Sequence, residues 1–457
     1  MCGISVVITP EEFGYDGQLA KMSKAIESRG MRGTHTVELA QNIYARFEWL
    51  PVSPDNQPQP YKNMLFNGFI SNYRELAAKY DIDLRSDSDT ELLGSFLYKF
   101  GLEKLDELNG FFAVVWYDHK KKQLHRFTDR YGIKQLYEYT HEGTTYICSE
   151  VKGILAVFPD LPLKPAAVAD WKHSLGVMTN DTIYEGIRRV ESLPFDCYRD
   201  EINIDYTSAK LQLKKLLEQS FRRNQTKHKT ACYLSGGVDS GILAANLPDI
   251  CLSMDYQEKD YSEAELFKVN SHGQHFTRVH NSDLKAVYIP RALDALDDLK
   301  VGSCYTNYAL AEMAKQLGCR VVYSGAGSDE LFSGYTHRYN REIEEVIKRT
   351  SHPKSDYATV WHKQYDWLYL RGILVVEDRM AGAHTLETRY PFLDNDLVDF
   401  VLSLPEEFRR EKRILKDVAI EEHWLKPAVA YAKKRGFSNP VTNEEWVELA
   451  LAHKTQK

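Results

Sequence analysis

The chain has 457 residues, and its 58 lysines and arginines against 65 aspartates and glutamates give a formal net charge of −7. This length predicts two or three domains, and 43% hydrophobic with 27% charged residues excludes a collagen-like or wholly disordered chain. The mild acidity makes a nucleic-acid partner unlikely, because a general nucleic-acid binder needs a basic surface.

The sequence predicts a cytoplasmic protein that does not enter a membrane. No apolar stretch approaches the roughly 18–20 residues that span a bilayer, and the N-terminus lacks a secretion-signal pattern. The seven cysteines are scattered without a CxxC pair. We therefore expect a reducing compartment, with neither a disulfide framework nor a zinc site.

The N-terminal part is predicted to be rich in strands, with one helix over residues 89–100 behind Ser88 as a possible N-cap. Its strands are short, apolar or β-branched runs bounded by turn residues. The pattern weakens over residues 163–205, where we place the connection between domains. The predicted strands cover residues 2–8, 111–117, 123–128 and 144–148.

Beyond the connection, short apolar runs alternate with helical stretches, which predicts a parallel sheet wrapped by helices. After Tyr335 the chain is predicted to be almost entirely helical, until turns near residues 433–440. The predicted strands of this part cover residues 231–234, 250–254 and 320–323.

Two glycine- and serine-containing turns follow strands of this second part. The first, SGGVDS at 235–240, precedes a helix predicted over residues 241–247. Backbone N–H groups at a helix start favour an anion, so this turn is either a phosphate site or a simple glycine-rich connection. In the second, SGAGSDELF at 324–332, Asp329 follows another strand. Parallel strand ends open at one edge, so Asp239 and Asp329 could share one metal-bound pyrophosphate; a role at the helix dipole is the alternative for Asp329.

These motifs resemble those of the glutamine-hydrolysing asparagine synthetase family. SGGVDS is similar to the pyrophosphate loop of ATP pyrophosphatases, and SGAGSDELFSGY to an asparagine synthetase signature. The DRM segment at 378–380, ETRYPFLD at 387–394 and KRGF at 434–437 follow in the family's order. The resemblance implies ATP and Mg²⁺ as cofactors, with Arg379 and Lys434 as the cations that neutralise charge developing on the phosphates. It implies ATP binding by Leu234, Ser235, Gly236, Gly237, Asp239, Ser240, Ser324 and Gly325, and metal binding by Asp239 and Asp329.

The N-terminal part carries a second resemblance, to class II glutamine amidotransferases. Removal of Met1 would leave Cys2 with a free α-amine that can act as the base for its own thiol. The run NGFISNY from Asn67 is similar to the family's NGEIYNY, which implies an oxyanion hole formed by Asn67 and Gly68. By the same resemblance, Asp89 of SDTE binds the α-ammonium of glutamine and Arg46 binds its α-carboxylate. Taken singly, each of these residues has an ordinary structural alternative.

The resemblance implies an α/β and α+β protein with two domains. Residues 1–190 are predicted to form an N-terminal-nucleophile hydrolase sandwich, two β-sheets between helices. Residues 206–457 are predicted to form a parallel-sheet ATP-pyrophosphatase domain with a helical C-terminal part. Ammonia released from glutamine would amidate an acyl-adenylate, with a small carboxylate as acceptor, aspartate first, and a homodimer is left open.

Three positions depart from the family pattern. Phe69 replaces the glutamate of NGE, the segment Arg29-Gly30-Met31-Arg32 replaces RGPD, and Ala326 replaces the glutamate of SGEGSDE. The first two predict weakened or altered glutamine recognition. The third leaves the acceptor open, because alanine cannot transfer a proton or steer a substrate amine. A different carboxylate acceptor and a catalytically weakened nucleotide-binding relative are the alternatives.

Overall fold

The computed structural model contains three β-sheets, two antiparallel in the N-terminal half and one parallel in the C-terminal half. It describes residues 2–10, 14–33, 35–51, 58–174, 179–256, 274–280, 282–297, 304–335, 356–432 and 443–455. None of the helices described there is long and apolar enough to cross a membrane. Lys434 and the predicted turns at 433–440 lie outside the described residues.

The N-terminal half is a four-layer sandwich. A seven-stranded sheet (β10-β8-β9-β1-β4-β2, with β3 beside β4) packs on a three-stranded one (β5-β6-β7). Its strands are β1 Gly3–Ile8, β2 Arg32–Gly33, β3 Val37–Ala40, β4 Ile43–Trp49, β5 Met64–Ile70, β6 Gly110–Asp118, β7 Gln123–Thr128, β8 Tyr137–His141, β9 Thr144–Cys148 and β10 Arg188–Arg189. Its helices are α1 Tyr15–Ala25, α2 Tyr73–Lys79, α3 Asp89–Phe100, α4 Val151–Leu155 and α5 Pro165–Ser174.

Alternating side chains place the cores of this sandwich. Ile4 and Val6 of β1 and Val115 of β6 pack between the sheets, because every second residue of a strand faces the same side. On the outer sides, α1 and α4 cover the larger sheet, and α2 and α3 cover the smaller one. The predicted sandwich and the helix at 89–100 are therefore confirmed.

The C-terminal half contains five parallel strands in the order β13-β12-β11-β14-β15. They are β11 Thr230–Tyr233, β12 Ile250–Tyr256, β13 Gln274–His280, β14 Val321–Tyr323 and β15 Glu387–Arg389. Its first helices are α6 Tyr206–Asn224, α7 Val238–Asn246, α8 Ser282–Ala295, α9 Cys304–Gln316, α10 Ser328–Leu331 and α11 Asp356–Gly382. They are followed by α12 Asn395–Leu402, α13 Glu406–Arg409, α14 Arg413–Glu421, α15 Pro427–Ala430 and α16 Asn443–Thr455, and 3-10 turns lie at Glu27–Arg29, Leu105–Glu107, Pro391–Leu393 and Arg410–Lys412.

The parallel sheet wrapped by helices confirms the fold predicted for this half. Two strands, β13 and β15, were not predicted. The three residues of β15 are too few for a period-2 pattern to be visible. Helix α6 begins after Asp205, whose side chain accepts a hydrogen bond from the Ser208 N–H at 3.0 Å. The domain boundaries at 190 and 206 stay predictions.

Candidate functional site

Cys2, just before the start of β1, lies beside Asn67, in the middle of β5. The Cys2 backbone N–H donates to Asn67 Oδ1 at 2.9 Å, and the Leu50 N–H donates to Cys2 Sγ at 3.4 Å. Burial raises the pKa of the Cys2 thiol above its ordinary value. A thiol in this position is therefore neutral at rest and needs a base to become a nucleophile.

Asn67 has an unused donor beside the thiol. Its Nδ2 is buried and has no hydrogen-bond partner among the described residues. A buried unpaired donor costs roughly 1–3 kcal/mol, so its retention is typical of a group that binds a ligand. The next residue is confined to glycine, because a Cβ at Gly68 would lie 2.1 Å from the Phe111 carbonyl oxygen. This geometry suits an oxyanion hole.

A cavity of about 400 Å³ opens at these residues and is lined by both halves of the chain. Cys2, Asn67 and Asp89 line it from the sandwich, and Glu387 and Arg389 of β15 line it from the C-terminal half. Asp89 Oδ2 accepts a hydrogen bond from the Ile70 N–H at 3.0 Å. Burial raises the pKa of Asp89 to about 7, which outweighs the hydrogen bond from Ile70.

Arg46 lies away from this cavity, which contradicts its predicted role in binding glutamine. Its neighbours Ala45 and Phe47 pack between the sheets, so strand alternation turns Arg46 toward α1 on the other face. There its Nη2 lies 2.9 Å from Asp16 Oδ1. The exposed cations that do line the cavity are Arg74, Arg222 and Lys227.

The second predicted site lies at the carboxyl ends of β11 and β14. The Ser235 N–H donates to Ser240 Oγ at 3.1 Å, and Gly236 has a φ of +75°, which only glycine adopts readily. Helix α7 begins at Val238, three residues before the predicted start at 241, so Asp239 and Ser240 lie in its first turn. Asp239 Oδ1 accepts from Ser328 Oγ at 2.6 Å, which ties the two turns together. Leu234, at the end of β11, is buried and hydrogen-bonded to Leu252 of β12.

Asp239 and Asp329 converge on one cation, Lys412, a residue that the motifs did not identify. Lys412 Nζ lies 2.7 Å from Asp329 Oδ1 and is also ion-paired with Asp239 Oδ2. Sequence analysis missed this lysine because it lies about 80 residues beyond Asp329, in a 3-10 turn with no motif of its own.

The pair of carboxylates fits Mg²⁺ only together with a phosphate ligand. Among the described residues no cluster of three or more His, Cys, Asp or Glu side chains is placed to hold a metal ion. Mg²⁺ commonly takes one or two carboxylates and completes its shell with phosphate oxygens and water. Asp239 and Asp329 meet that pattern, since both reach a single positive charge.

The turn after β14 contacts the carboxyl group of Glu377 in α11. Ser324 Oγ donates to Glu377 Oε1 at 3.0 Å and accepts from the Ala326 N–H at 3.2 Å, so Glu377 of α11 reaches the Ala326 backbone through one hydroxyl. Glu377 Oε2 is buried without a hydrogen-bond partner in the described part of the chain. Burial raises the pKa of Glu377 to about 7.

Gly325 and Gly327 on either side of Ala326 are confined by close contacts. A Cβ at Gly325 would lie 3.0 Å from Asp239 Cβ. A Cβ at Gly327, whose φ is +94°, would lie 2.4 Å from Leu393 Cδ2 of the PFLD segment. The two glycines therefore fix the turn against both neighbouring motifs.

Arg379 does not lie at the phosphate turns, which contradicts its predicted catalytic role. It is buried, with Nε 3.2 Å from Asp297 Oδ1 and Nη1 3.2 Å from Asp378 Oδ2. These residues belong to a group of buried charges between the two halves, which we call the ion cluster. The ion cluster contains Arg29, Lys134, Glu150, Asp297, Asp378 and Arg379.

Arg29 connects the ion cluster to the first site. Its Nε donates to the Cys2 carbonyl oxygen at 2.9 Å, and its Nη2 lies 2.9 Å from Asp378 Oδ2 in the other half of the chain. Arg29 is the first residue of the segment that replaces RGPD, and it is the same residue in both. It is buried, and its hydrogen bond to the Cys2 carbonyl oxygen holds the backbone of Cys2 in place. Met31 and Arg32 in the same segment are exposed.

Two family models match the chain. A glutamine amidotransferase domain matches residues 1–203, and an asparagine synthase model matches residues 212–368 and 354–456. Among curated proteins, the chain is 26% identical over 438 residues to a glutamine-hydrolysing asparagine synthetase of Gallus gallus and 26% identical over 431 residues to that of Homo sapiens. Each alignment covers 85% of this chain and 74% of the relative.

A solved structure also has some similarity to the chain. Glutamine phosphoribosylpyrophosphate amidotransferase from B. subtilis, complexed with ADP and GMP, is 13% identical with a TM-score of 0.28. That match covers 79% of this chain and 92% of the other. At this level of similarity no conclusion about this chain follows from it.

Proposed function

Because this chain belongs to the asparagine synthase family, with a glutamine amidotransferase domain ahead of the synthase domain, we propose that it is a glutamine-hydrolysing carbon–nitrogen ligase. The observation that supports this most directly is the cavity where Cys2, the unpaired Nδ2 of Asn67 and Asp89 meet. A nucleophile, a donor for a developing oxyanion and a carboxylate for an ammonium are the groups that glutamine hydrolysis requires.

In the first half-reaction, removal of Met1 would free the Cys2 α-amine, which would accept the thiol proton. The Cys2 sulfur would then attack the side-chain amide carbon of glutamine. Asn67 Nδ2 and the Gly68 N–H would stabilise the oxyanion, worth roughly 10²–10³ in rate per donor. Ammonia would leave as the thioester forms, and water would release glutamate.

In the second half-reaction, the two turns at the strand ends would bind ATP. Ser235, Gly236, Gly237 and Ser240 would surround the pyrophosphate with hydroxyl and N–H donors, and Ser324 and Gly325 would line the opposite side. Mg²⁺ held by Asp239 and Asp329 would neutralise charge on the phosphates. Lys412 would balance the same two carboxylates and add a cation for the departing pyrophosphate. The sequence had given this role to Arg379 and Lys434, and Lys434 stays part of the proposal.

We infer that aspartate is the leading acceptor, which would give asparagine, AMP and pyrophosphate. Ala326 favours a second candidate, amidation of a different carboxylate, because this position lacks the family's carboxylate and leaves more room. Glu377 is the carboxyl group closest in the hydrogen-bond network to Ala326. With a pKa of about 7 it could accept a proton from the incoming amine at neutral pH.

The test is a reaction of purified protein with ATP, Mg²⁺, glutamine and aspartate, in which asparagine and AMP are measured. Cys2→Ala should lower glutamine-dependent turnover by about 10³-fold or more, because it removes the nucleophile. Turnover with ammonium chloride should persist in this variant. Cys197→Ala, a buried cysteine outside the cavity lining, is the matched control.

The outcomes separate the alternatives. Absence of AMP with aspartate, but AMP formation with another carboxylate, would overturn the aspartate assignment and support the second candidate. Glutamine-dependent turnover that survives Cys2→Ala would overturn the glutaminase assignment.

A further inference from the structure

The cavity lined by Cys2, Asn67 and Asp89, which we call the glutamine cavity, lacks one carboxylate of the family pattern. An aromatic ring of the N-terminal half stands in its place. Phe69 stands where the family pattern has a glutamate. The Arg389 guanidinium lies over the Phe69 ring, 3.8 Å from its centroid. A cation of the C-terminal half therefore packs on the ring that replaces the glutamate. A neutral ring in this position cannot bind an ammonium by charge pairing.

A carboxylate enters the same cavity from the other half of the chain. Glu387, at the start of β15, lines it with Cys2 and Asp89 and is 4% exposed. Arg389 Nε donates to Glu387 Oε1 at 2.7 Å, which fixes the side chain. Burial is the main cause of the raised pKa of Cys2 and of Asp89, and the negative charge of Glu387 raises both pKa values further.

Resting on the proposed function, we propose that Glu387 supplies the second carboxylate for the α-ammonium of glutamine, in place of the residue lost at Phe69. A bound ammonium favours the ionised form of Asp89. In the complex Asp89 and Glu387 would therefore carry two negative charges, and Arg389 would neutralise one of them. The remaining negative charge complements one ammonium group. Arg389 also donates to the Asn224 carbonyl oxygen at 2.9 Å, which anchors the pair to the C-terminal half.

The assignment makes the glutamine site a joint product of the two domains. Because Glu387 lies in β15, it reaches the cavity only when the parallel-sheet domain is docked on the sandwich. Glutamine recognition therefore depends on the same contact that aligns the two half-reactions.

The test compares glutamine with 5-amino-5-oxopentanoate, which has the same amide and carboxylate but no α-ammonium. Binding is measured by titration calorimetry in the Cys2→Ala background, where no turnover occurs. Glu387→Gln should weaken glutamine roughly 10–100-fold, the usual effect of a lost charge-assisted hydrogen bond, and leave the analogue within about twofold. Phe69→Glu, added to Glu387→Gln, should restore part of the preference for glutamine. Glu142→Gln, on an exposed turn between β8 and β9, is the matched control.

Equal losses for both ligands would overturn the assignment, because a structural role does not distinguish them. Failure of the proposed function looks different. Wild-type protein would then release no Cys2-dependent glutamate, whatever the two binding constants are. A third result would be glutamate release by the wild type together with equal losses of affinity for glutamine and the analogue. It would support the proposed function and show that Glu387 does not bind the ammonium.

Discussion

The two halves of the chain meet through two charged regions that differ in how their charges are balanced. In the ion cluster every charged side chain has an opposite charge within 4 Å, as where Lys134 Nζ lies 2.8 Å from Asp378 Oδ1. The glutamine cavity instead retains the unpaired Nδ2 of Asn67 and the buried carboxyl group of Asp89. Both regions are built across the same domain contact.

The pKa values of buried carboxyl groups show the same contrast. Burial alone would raise the pKa of Glu150, but Lys152, Arg379 and Arg29 outweigh it and lower the pKa to about 2. In the cavity burial dominates and raises the pKa of Asp89 to about 7. Buried charges that are all paired are typical of a structural ion network. Buried polar groups without partners are typical of a site that binds a charged ligand.

The largest effect is expected from breaking the ion cluster. Asp378→Ala would leave Arg29, Lys134 and Arg379 short of a buried counter-charge. We expect a loss of about 3–5 kcal/mol in the free energy of unfolding, measured by urea denaturation. Glu138→Ala, which removes an exposed pair with Arg126, should cost only about 0–1 kcal/mol. Similar losses for the two variants would refute the contrast.

A smaller, pH-dependent effect is expected in the cavity. The folded state keeps a proton on Asp89 up to about pH 7, whereas the unfolded chain releases it near its ordinary value of 3.8. The stabilisation is therefore complete below about pH 4 and is lost as the pH rises through 7. Asparagine does not ionise, so Asp89→Asn should not lose stability as the pH rises. Above pH 7 its free energy of unfolding should exceed that of the wild type by on the order of 2 kcal/mol.

Urea denaturation between pH 5.5 and 8.5 measures the difference between Asp89→Asn and the wild type. The difference should grow up to about pH 7 and then level off, because Asp89 is ionised in both the folded and the unfolded state above its folded-state pKa. Glutamine binding should be weakened in the variant at every pH. A difference that does not change with pH would contradict the raised pKa.

The smallest effect is expected at Arg46, which contacts neither region. Arg46→Gln breaks a partly exposed pair with Asp16, so unfolding should change by about 0–1 kcal/mol. The KM for glutamine should stay within about twofold of the wild type, measured by glutamate release. A rise of tenfold or more would restore Arg46 to the glutamine site.

Much of the fold could be predicted from local patterns. The strand-rich first part, the helix at 89–100 and the parallel sheet follow from hydrophobic periodicity, which each segment carries in its own residues. The early start of α7 was missed because a helix's first turn need not show an apolar pattern. Strand β15 was missed because its short run is defined by hydrogen bonds to β14.

The candidate sites were predicted less evenly. Motif residues such as Asn67 and Asp239 lie where their spacing in the chain suggested. The direction in which a side chain points is decided by strand parity and by the docking of the two domains, which a motif does not contain. Arg46 and Arg379 were misplaced for this reason, and Lys412 and Glu387 were overlooked because their partners lie far away in the sequence.

The confined turn around Ala326 has a consequence for how acceptor preference can diverge among relatives. Substitution at Gly325 or Gly327 would force the backbone against Asp239 or Leu393, so inherited change at either glycine requires a simultaneous change in a distant motif. Ala326, between them, is partly buried against the hydrophobic core, and a change of its side chain leaves both glycine contacts in place. If the acceptor binds beside this turn, as proposed, exchange of residue 326 would alter the acceptor pocket while Gly325 and Gly327 keep their contacts.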